Sequence, residues 1–333
     1  MEFKVRNVNQ AISEALWCLK VCGVKEQSRN GSVIVFPEPV ITTYEKPQER
    51  VLFWSERDAS PIFHTLECLW ILAGRRDVEF VKTFNSRINA YSDDGENFNA
   101  AYGYRMRHHW GEDQLVEAIR LLKRDPNTRR CVIQLYDARD LSNQTSKDHA
   151  CNTQLYFDRR GGRLNLTVCC RSNDLWWGAF GANAVHFSFI QEFVASAVGV
   201  PMGIYRQFSN NLHLYGEQVY DAQKYLNTPP DPSDYDEYRR GIKPRPIMDD
   251  NDHVEFLNDC ELFCDDPFYE NSYYHSFFKE VAYPMAMVSK TRKDKAGDGR
   301  VWAAKIQADD WRLATEQWID RRENAKGVQL KLF

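Results

Sequence analysis

Cys151 is followed at fixed distances by Arg171, Ser172, Asp174, Asn183 and a His-x-Tyr pair, His213 and Tyr215. The two carrying segments read CNTQLYFDRRGGRLNLTVCCRSNDLWWGAFGANAVHFSFIQEF and SNNLHLY. A thiolate adds to electron-poor double bonds, arginine grips phosphate, and neutral amide and phenol groups read a base edge or a sugar. A site that adds sulfur to a pyrimidine ring while holding its phosphate and sugar needs this set. A second basic element, DPNTRRCVIQLYD, places Arg129 and Arg130 between Asp125 and Asp137.

Each residue also has a plainer reading. A lone cysteine in a reducing compartment is most often inert packing. Cys151 follows the polar stretch SKDHA, which suits a cleft rim, and Arg129, Arg130 and Arg171 are candidate neighbours that would favour its thiolate. The Arg129-Arg130 pair, and Arg29 ahead of Asn30-Gly31, are equally consistent with solvated surface charge. Glu67 stands among Leu66, Leu69, Trp70 and Leu72, either satisfied structurally or tuned for proton transfer. The Asn183 amide can donate and accept, matching the O4 and N3–H edge of uracil; an aspartate would better match cytosine. His213 and Tyr215 suit a sugar hydroxyl or a core cap.

Bulk properties narrow the class. The 333 residues are 43% hydrophobic, enough for a sizeable core, and the net charge of −4 supplies no global field toward nucleic acid or anionic membranes. Any bound phosphate must therefore meet a local arginine cluster. The apolar runs are shorter than a membrane span, and MEFKVRNVNQ lacks a signal peptide's apolar segment. Nine cysteines without framework or zinc spacing read as free thiols in a reducing cytoplasm, with no metal site expected.

The positioning elements follow from periodicity. Apolar spacing predicts helices over 8–22, 61–73 (Pro61 at the start, Gly74 past the end), 113–124, 181–198 (ending at Gly199) and 213–226. Strands are expected after Asn30-Gly31 and over 130–136, 151–158, 163–171 and 201–211, with a turn at Arg160-Gly161-Gly162. Residues 76–99 read as short helix and loop. From 228 the chain becomes a proline-rich charged connector, PPDPSDYDEYRRGIKPRP, followed by helices over about 272–288 and 304–324. Mixed elements without βαβ alternation give an α+β class, with a catalytic domain over 1–227 and a helical extension over 228–333.

Taken together, the cysteine-to-arginine interval, the RSND tetrad and the HLY triplet resemble the thymidylate synthase family, from about Arg29 to Tyr215. The resemblance implies that family's layered mixed sheet with flanking helices, dimerising sheet to sheet. It implies Cys151 as the nucleophile at C6 of a pyrimidine nucleotide, Glu67 (in LECLW) as the acid/base group, and Tyr102 (in AAYGYR) as the tyrosine linked to proton loss from C5. Arg29 and Arg171 resemble phosphate ligands, with Ser172 beside them. Arg129 and Arg130 resemble the pair that reaches the phosphate from the neighbouring subunit of a homodimer with shared active sites. Asn183 resembles the base reader, His213 and Tyr215 the 3′-hydroxyl pair, and Asp174 the folate-pterin ligand. The implied co-substrate is 5,10-methylenetetrahydrofolate.

Three departures bear on the reaction. Ala150-Cys151-Asn152 stands where the family usually has Pro-Cys-His. The usual glycine-to-asparagine spacing is one residue shorter than Gly178 to Asn183, which leaves Ala182 as a rival for the base-facing place. The family's short closing segment at the C-terminus is not recognisable. These departures are similar to the nucleotide hydroxymethylases of the family, in phage and biosynthetic settings, where water rather than hydride completes the one-carbon unit. The leading expectation is 5-hydroxymethylation of dUMP. The alternatives are dCMP or CMP as substrate, reductive methylation, or a silent nucleotide-binding dimer.

Overall fold

Side chains alternate between buried and more exposed along NTQLYFDRR, RLNLTVCC and MGIYRQFS, and these segments form the central strands. The computed structural model describes residues 1–28, 31–216, 225–295 and 297–330. Within them a six-stranded sheet runs β1 (Glu2–Val5), β4 (Val40–Tyr44), β9 (Met202–Ser209), β7 (Arg163–Cys170), β6 (Asn152–Arg160) and β5 (Val132–Gln134). A four-stranded sheet runs β2 (Val24–Ser28), β3 (Gly31–Val35), β10 (Leu212–Tyr215) and β8 (Asn173–Asp174). Strands β6 and β7 join through Gly161 (φ 58°) and Gly162 (φ 73°), the left-handed pair that a tight hairpin turn requires.

The two sheets meet at a corner. The chain leaves β7 at Cys170 and enters β8 at Asn173; it leaves β9 at Ser209 and enters β10 at Leu212. Asn210 N donates to Cys170 O at 2.8 Å, and Asn173 N to Asn211 O at 2.8 Å, so both crossings lie side by side. Arg171, Ser172 and Asn211 are the crossing residues, which fixes them at the junction.

Nine helices of the described residues surround this frame: α1 (Val8–Cys22), α2 (Pro61–Leu72), α3 (Val78–Phe84), α4 (Tyr102–Arg107), α5 (Gln114–Arg124), α6 (Asn183–Val198), α7 (His253–Asp265), α8 (Tyr283–Asp294) and α9 (Asp309–Leu330), beside shorter turns. Helix α6 is buried along almost its whole length, packed between the large sheet and helices α2 and α5. It ends at Gly199 in the left-handed conformation, and α2 starts at Pro61 under a Ser60 cap, as their sequences predict. Helices α2 and α4 cross backbone to backbone: a Cβ on Gly103 would lie 2.1 Å from the Ile71 carbonyl oxygen.

The chain's last third packs against the back of α2. Helices α7, α8 and α9 all touch α2, and α9 also meets the Ser55–Arg57 turn. Polar pins hold it there. Tyr238 Oη accepts from Val51 N at 3.1 Å and donates to Asp310 Oδ2 at 2.9 Å, and burial pushes the Asp310 carboxyl up to about 6. Arg321 and Arg322 hold Asp58 at 2.9 and 2.8 Å.

Four sequence expectations need correction. The segment expected to be helical over 213–226 starts instead as strand β10, because Leu212, His213 and Leu214 pair with β3 (His213 opposite Val35); residues 217–224 lie outside the described residues. Strand β2 was not expected, since all five of its side chains are exposed and carry no burial signal. Helix α7 was also missed, although Phe256, Leu257, Cys260, Phe263 and Cys264 give it a buried stripe. The helix expected over 272–288 lies further on, as a π-turn over Phe278–Ala282 that runs into α8.

Gly103→Ala should lower stability by about 2–3 kcal/mol, because neither the Ile71 carbonyl nor the helix axis can yield cheaply. A drop of several degrees in Tm checks this; an unchanged Tm would mean the crossing relaxes freely.

Candidate active site

A register slip in the β6–β7 ladder shapes the ground around the thiol. Asn152 pairs with Cys170 and Gln154 with Cys169, so Thr153 is bulged out immediately after Cys151. The bulged Thr153 carbonyl accepts from both Leu135 N (2.8 Å) and Tyr136 N (3.1 Å). Cys151 is half-buried at the wall of a cleft of about 860 Å³, with its sulfur 3.7 Å from the His149 carbonyl oxygen.

Arg171 holds the chain on the approach to the thiol. Its amide donates to Cys151 O at 2.8 Å, and its guanidinium reaches Ala150 O (2.9 Å) and His149 O (3.5 Å). Arg171 also lines the cleft, where it and Lys147 are the lining cations among the described residues. Ser172, Asn211, His213 and Tyr215 line the same arm. Asn211 Oδ1 lies 2.9 Å from His213 Nδ1, and the His213 and Tyr215 rings meet edge to face at 4.9 Å. Burial holds the His213 imidazole below its ordinary pKa, so it is neutral at pH 7.

A second arm of about 350 Å³ shares Tyr102, Tyr91, Asp148 and His149 with the first. Glu67, Asn183, His186 and Trp177 belong to it, with Trp70, Ile71 and Phe98 as apolar lining. A run of side-chain amides connects the two arms behind the surface. Asn152 Nδ2 donates to Tyr102 Oη (2.9 Å) and to Asn183 Oδ1 (3.2 Å). Asn183 Nδ2 donates to Asn173 Oδ1 (3.0 Å), and Asn173 Nδ2 to Ser209 Oγ (2.9 Å). The network orients every amide in it. Tyr102 accepts twice from Asn152, through the side chain and through the backbone N–H at 3.2 Å, which leaves its own proton to donate. Burial, with the neighbouring thiols, pushes the Tyr102 phenol well above its ordinary pKa.

The extra residue between Gly178 and Asn183 has a structural answer. Leu175–Ala182 is a π-turn, closed by an Asn183 N–H to Gly178 O bond and kinked at Phe180 and Gly181. The wide turn takes up the additional residue, so both Ala182 and Asn183 line the second arm. Gly178 is required beside it, since a Cβ there would sit 2.8 Å from Asn173 Oδ1.

Several expected residues fall elsewhere. Arg29 lies outside the described residues. Arg129 and Arg130 are exposed just ahead of β5 and line neither arm of their own chain, so they are not the neighbours of Cys151 that their charge suggested. Asp174 also lines neither arm; its carboxylate caps Trp176 N (2.6 Å) and Trp177 N (3.2 Å). Trp177, 53% exposed, covers the buried Arg57 guanidinium at 4.4 Å. Arg57 itself is buried, bonded to Trp176 O, and lowered to about 10 by that burial, against the opposing pull of Asp174 and Asp58.

Sequence reading passed over His186, Trp177, Arg57 and Asp148. His186 could have been found: it is the one imidazole of helix α6, three residues after Asn183 and thus on the same face. Arg57 and Asp148 gave no local signal, since their roles come from what packs over them.

The comparisons agree with this geometry. A protein 46% identical over 334 aligned residues, covering 97% of this chain and 94% of its own length, is the deoxyuridylate hydroxymethyltransferase of Pseudomonas phage M6. Another of that name, from Bacillus phage SP01, is 37% identical over 66% of this chain and 63% of its own. The crystal structure of thymidylate synthase from T4 phage superposes with a TM-score of 0.56 at 18% identity, over 66% of this chain and 81% of that one, which speaks to the fold alone. The family model described as thymidylate synthase matches residues 23–237, most of the chain and all of the cleft, and the chain accordingly belongs to the thymidylate synthase family.

Proposed function

We propose that this protein transfers a one-carbon unit from 5,10-methylenetetrahydrofolate to C5 of dUMP and completes it with water, forming 5-hydroxymethyl-dUMP. The observation that carries the reading is the Cys151 thiol in the polar arm with Arg171, next to an apolar arm that holds Asn183 and shares Tyr102 and His149 with the first. The names of the phage relatives point the same way. The first arm suits the nucleotide: Arg171 for phosphate, His213 and Tyr215 for the sugar hydroxyl, and Ser172 where a 2′-hydroxyl would need room. The second arm suits a flat heteroaromatic ring, with Trp70, Phe98 and Trp177 as apolar surfaces beside polar groups. Bound folate would supply the carbon.

In this reading Cys151 attacks C6, which makes C5 nucleophilic, and later leaves C6 to restore the ring. Asn183 is held with its oxygen toward Asn152 and its nitrogen toward Asn173, leaving one acceptor site and one donor hydrogen for the uracil edge. Tyr102 and Glu67 handle the proton at C5. The water route is favoured because no described residue after Tyr215 lines either arm. The described helices α7, α8 and α9 pack against α2.

A homodimer completes the reading. The face of the large sheet turned away from α6 presents Val132, Tyr156, Thr167 and Arg206 in one cross-strand row and Gln154, Cys169 and Phe208 in the next, exposed or half-buried. A second copy would cover this face, and Arg129 and Arg130 at its edge would reach the partner's phosphate arm, lined among the described residues by Arg171 and Lys147.

Three outcomes test these statements. With methylenetetrahydrofolate and dUMP, the product should gain a hydroxymethyl group and release tetrahydrofolate, and Cys151→Ala should abolish turnover while nucleotide still binds. A methyl product with dihydrofolate would refute the water route, as read by mass spectrometry of the nucleotide. Asn183→Asp should shift the kcat/KM ratio toward dCMP by about 10–100-fold, because the donor to Asn173 and to O4 is lost. Mixing Cys151→Ala with an Arg129→Ala/Arg130→Ala double variant should restore about a quarter of wild-type activity through heterodimers with one intact site; no restoration would remove the shared-site arrangement.

A further inference from the structure

Two polar atoms on facing helices are buried without a hydrogen-bond partner at the wall of the second arm. Glu67 Oε2 projects from α2 and His186 Nε2 from the first turn of α6. They lie 3.1 Å apart, yet the imidazole and carboxylate are not aligned as a hydrogen bond, and each lacks any other partner. His186 is only 4% exposed, and both residues line the second arm. Native interiors rarely leave such atoms unpaired, and two together mark a place for a polar guest.

His186 sits one turn after Asn183, so the base reader and this imidazole share a helix face. Asn183 is tied through Asn152 to the residue next to Cys151. A pyrimidine held by Cys151 and Asn183 therefore presents C5 toward the arm that holds Glu67 and His186. Behind His186, His64 stands edge-on at 6.3 Å, and burial, with Arg57 and His186 adding repulsion, holds it well below its ordinary pKa. A neutral ring at its back lets His186 accept a proton without facing a second imidazolium.

We infer that His186, beside Glu67, is the base that activates the water completing the one-carbon unit. The inference rests on the hydroxymethyl reading above. After the C5 proton and folate have left, the ring carries an exocyclic methylene conjugated with C4=O and a C6–S bond. His186 Nε2 takes one proton from water as the oxygen bonds the methylene carbon. The methylene π pair moves into the C4 enolate. Collapse of the enolate forms C5=C6, breaks C6–S and returns the Cys151 thiolate, and the imidazolium proton passes to solvent. No oxidant or reductant is consumed. A sequestered base of this kind is worth about 10²–10⁴-fold.

The test separates early from late chemistry in the full-length protein. With 5-tritiated dUMP and methylenetetrahydrofolate, tritium release reports loss of the C5 proton and mass spectrometry reports the product. His186→Gln and His186→Asn should keep tritium release within a few-fold of wild type, lose hydroxymethyl-dUMP by about 10²-fold or more, and divert the nucleotide to a thioether when 2-mercaptoethanol is added, since a thiolate needs no base. Equal losses of tritium release and product in both variants, or full hydroxymethyl formation in either, would overturn the assignment. In the unmodified enzyme, a solvent deuterium isotope effect should fall on hydroxymethyl formation and not on the thioether; its absence would also overturn it. If the wild type releases no tritium at all, the substrate reading itself is at fault, and the two failures are told apart.

Discussion

Three buried amides joined end to end constrain everything around the thiol. Asn152, Asn183 and Asn173 belong to three separate elements: the start of β6, the first turn of α6 and the short strand β8. A buried amide without partners is costly, so each one specifies where its neighbour must lie. The π-turn over Leu175–Ala182 exists within that constraint. It must deliver Asn183 to a fixed point while Gly178 passes close to the Asn173 side chain. The bulge at Thr153 serves the other end, letting Asn152 turn inward while Cys151 faces the cleft.

Behind this layer, the chain's last third acts as a brace. It spends its apolar surface on α2, whose other side carries Glu67, and ties down the Ser55–Asp58 segment through Arg321 and Arg322. Asp58 adopts a left-handed conformation there (φ 48°), which an aspartate tolerates better than most residues. Its neighbour Arg57 then lies buried under Trp176 and Trp177. The exposed indole of Trp177 is thus supported from below by a guanidinium, which in turn is steadied by the brace. Among the described residues, none after Tyr215 lines either arm of the cleft.

Charge distribution fits a chain with no global field. Most arginines near the cleft are already engaged: Arg105 with Asp140 at 2.5 Å, Arg139 with Asp137, and Arg57 with the Trp176 carbonyl. Arg171 spends part of its donor set on the two carbonyls before the thiol. Among the described residues, the first arm thus keeps Arg171 and Lys147 as its lining cations, while Arg129 and Arg130 stand exposed ahead of β5.

Local sequence determined much of this. Alternation in RLNLTVCC and MGIYRQFS, the double glycine at 161–162, Pro61 and Gly199 marked strands, hairpin and helix ends, because those signals depend on backbone preferences that neighbours rarely override. Residue types and spacing named the thiol, Arg171, Asn183 and the HLY triplet, because covalent chemistry on a nucleotide admits few substitutes. Tertiary structure alone decided the rest. LHLY became a strand because β3 offered it an edge, and the wholly exposed β2 formed because β3 offered it the other. Asp174 was drawn into capping the π-turn, and His186, unremarked in the sequence, came to face Glu67. Such roles arise from what lies across a gap in space, and no periodicity along the chain encodes a neighbour more than a hundred residues away.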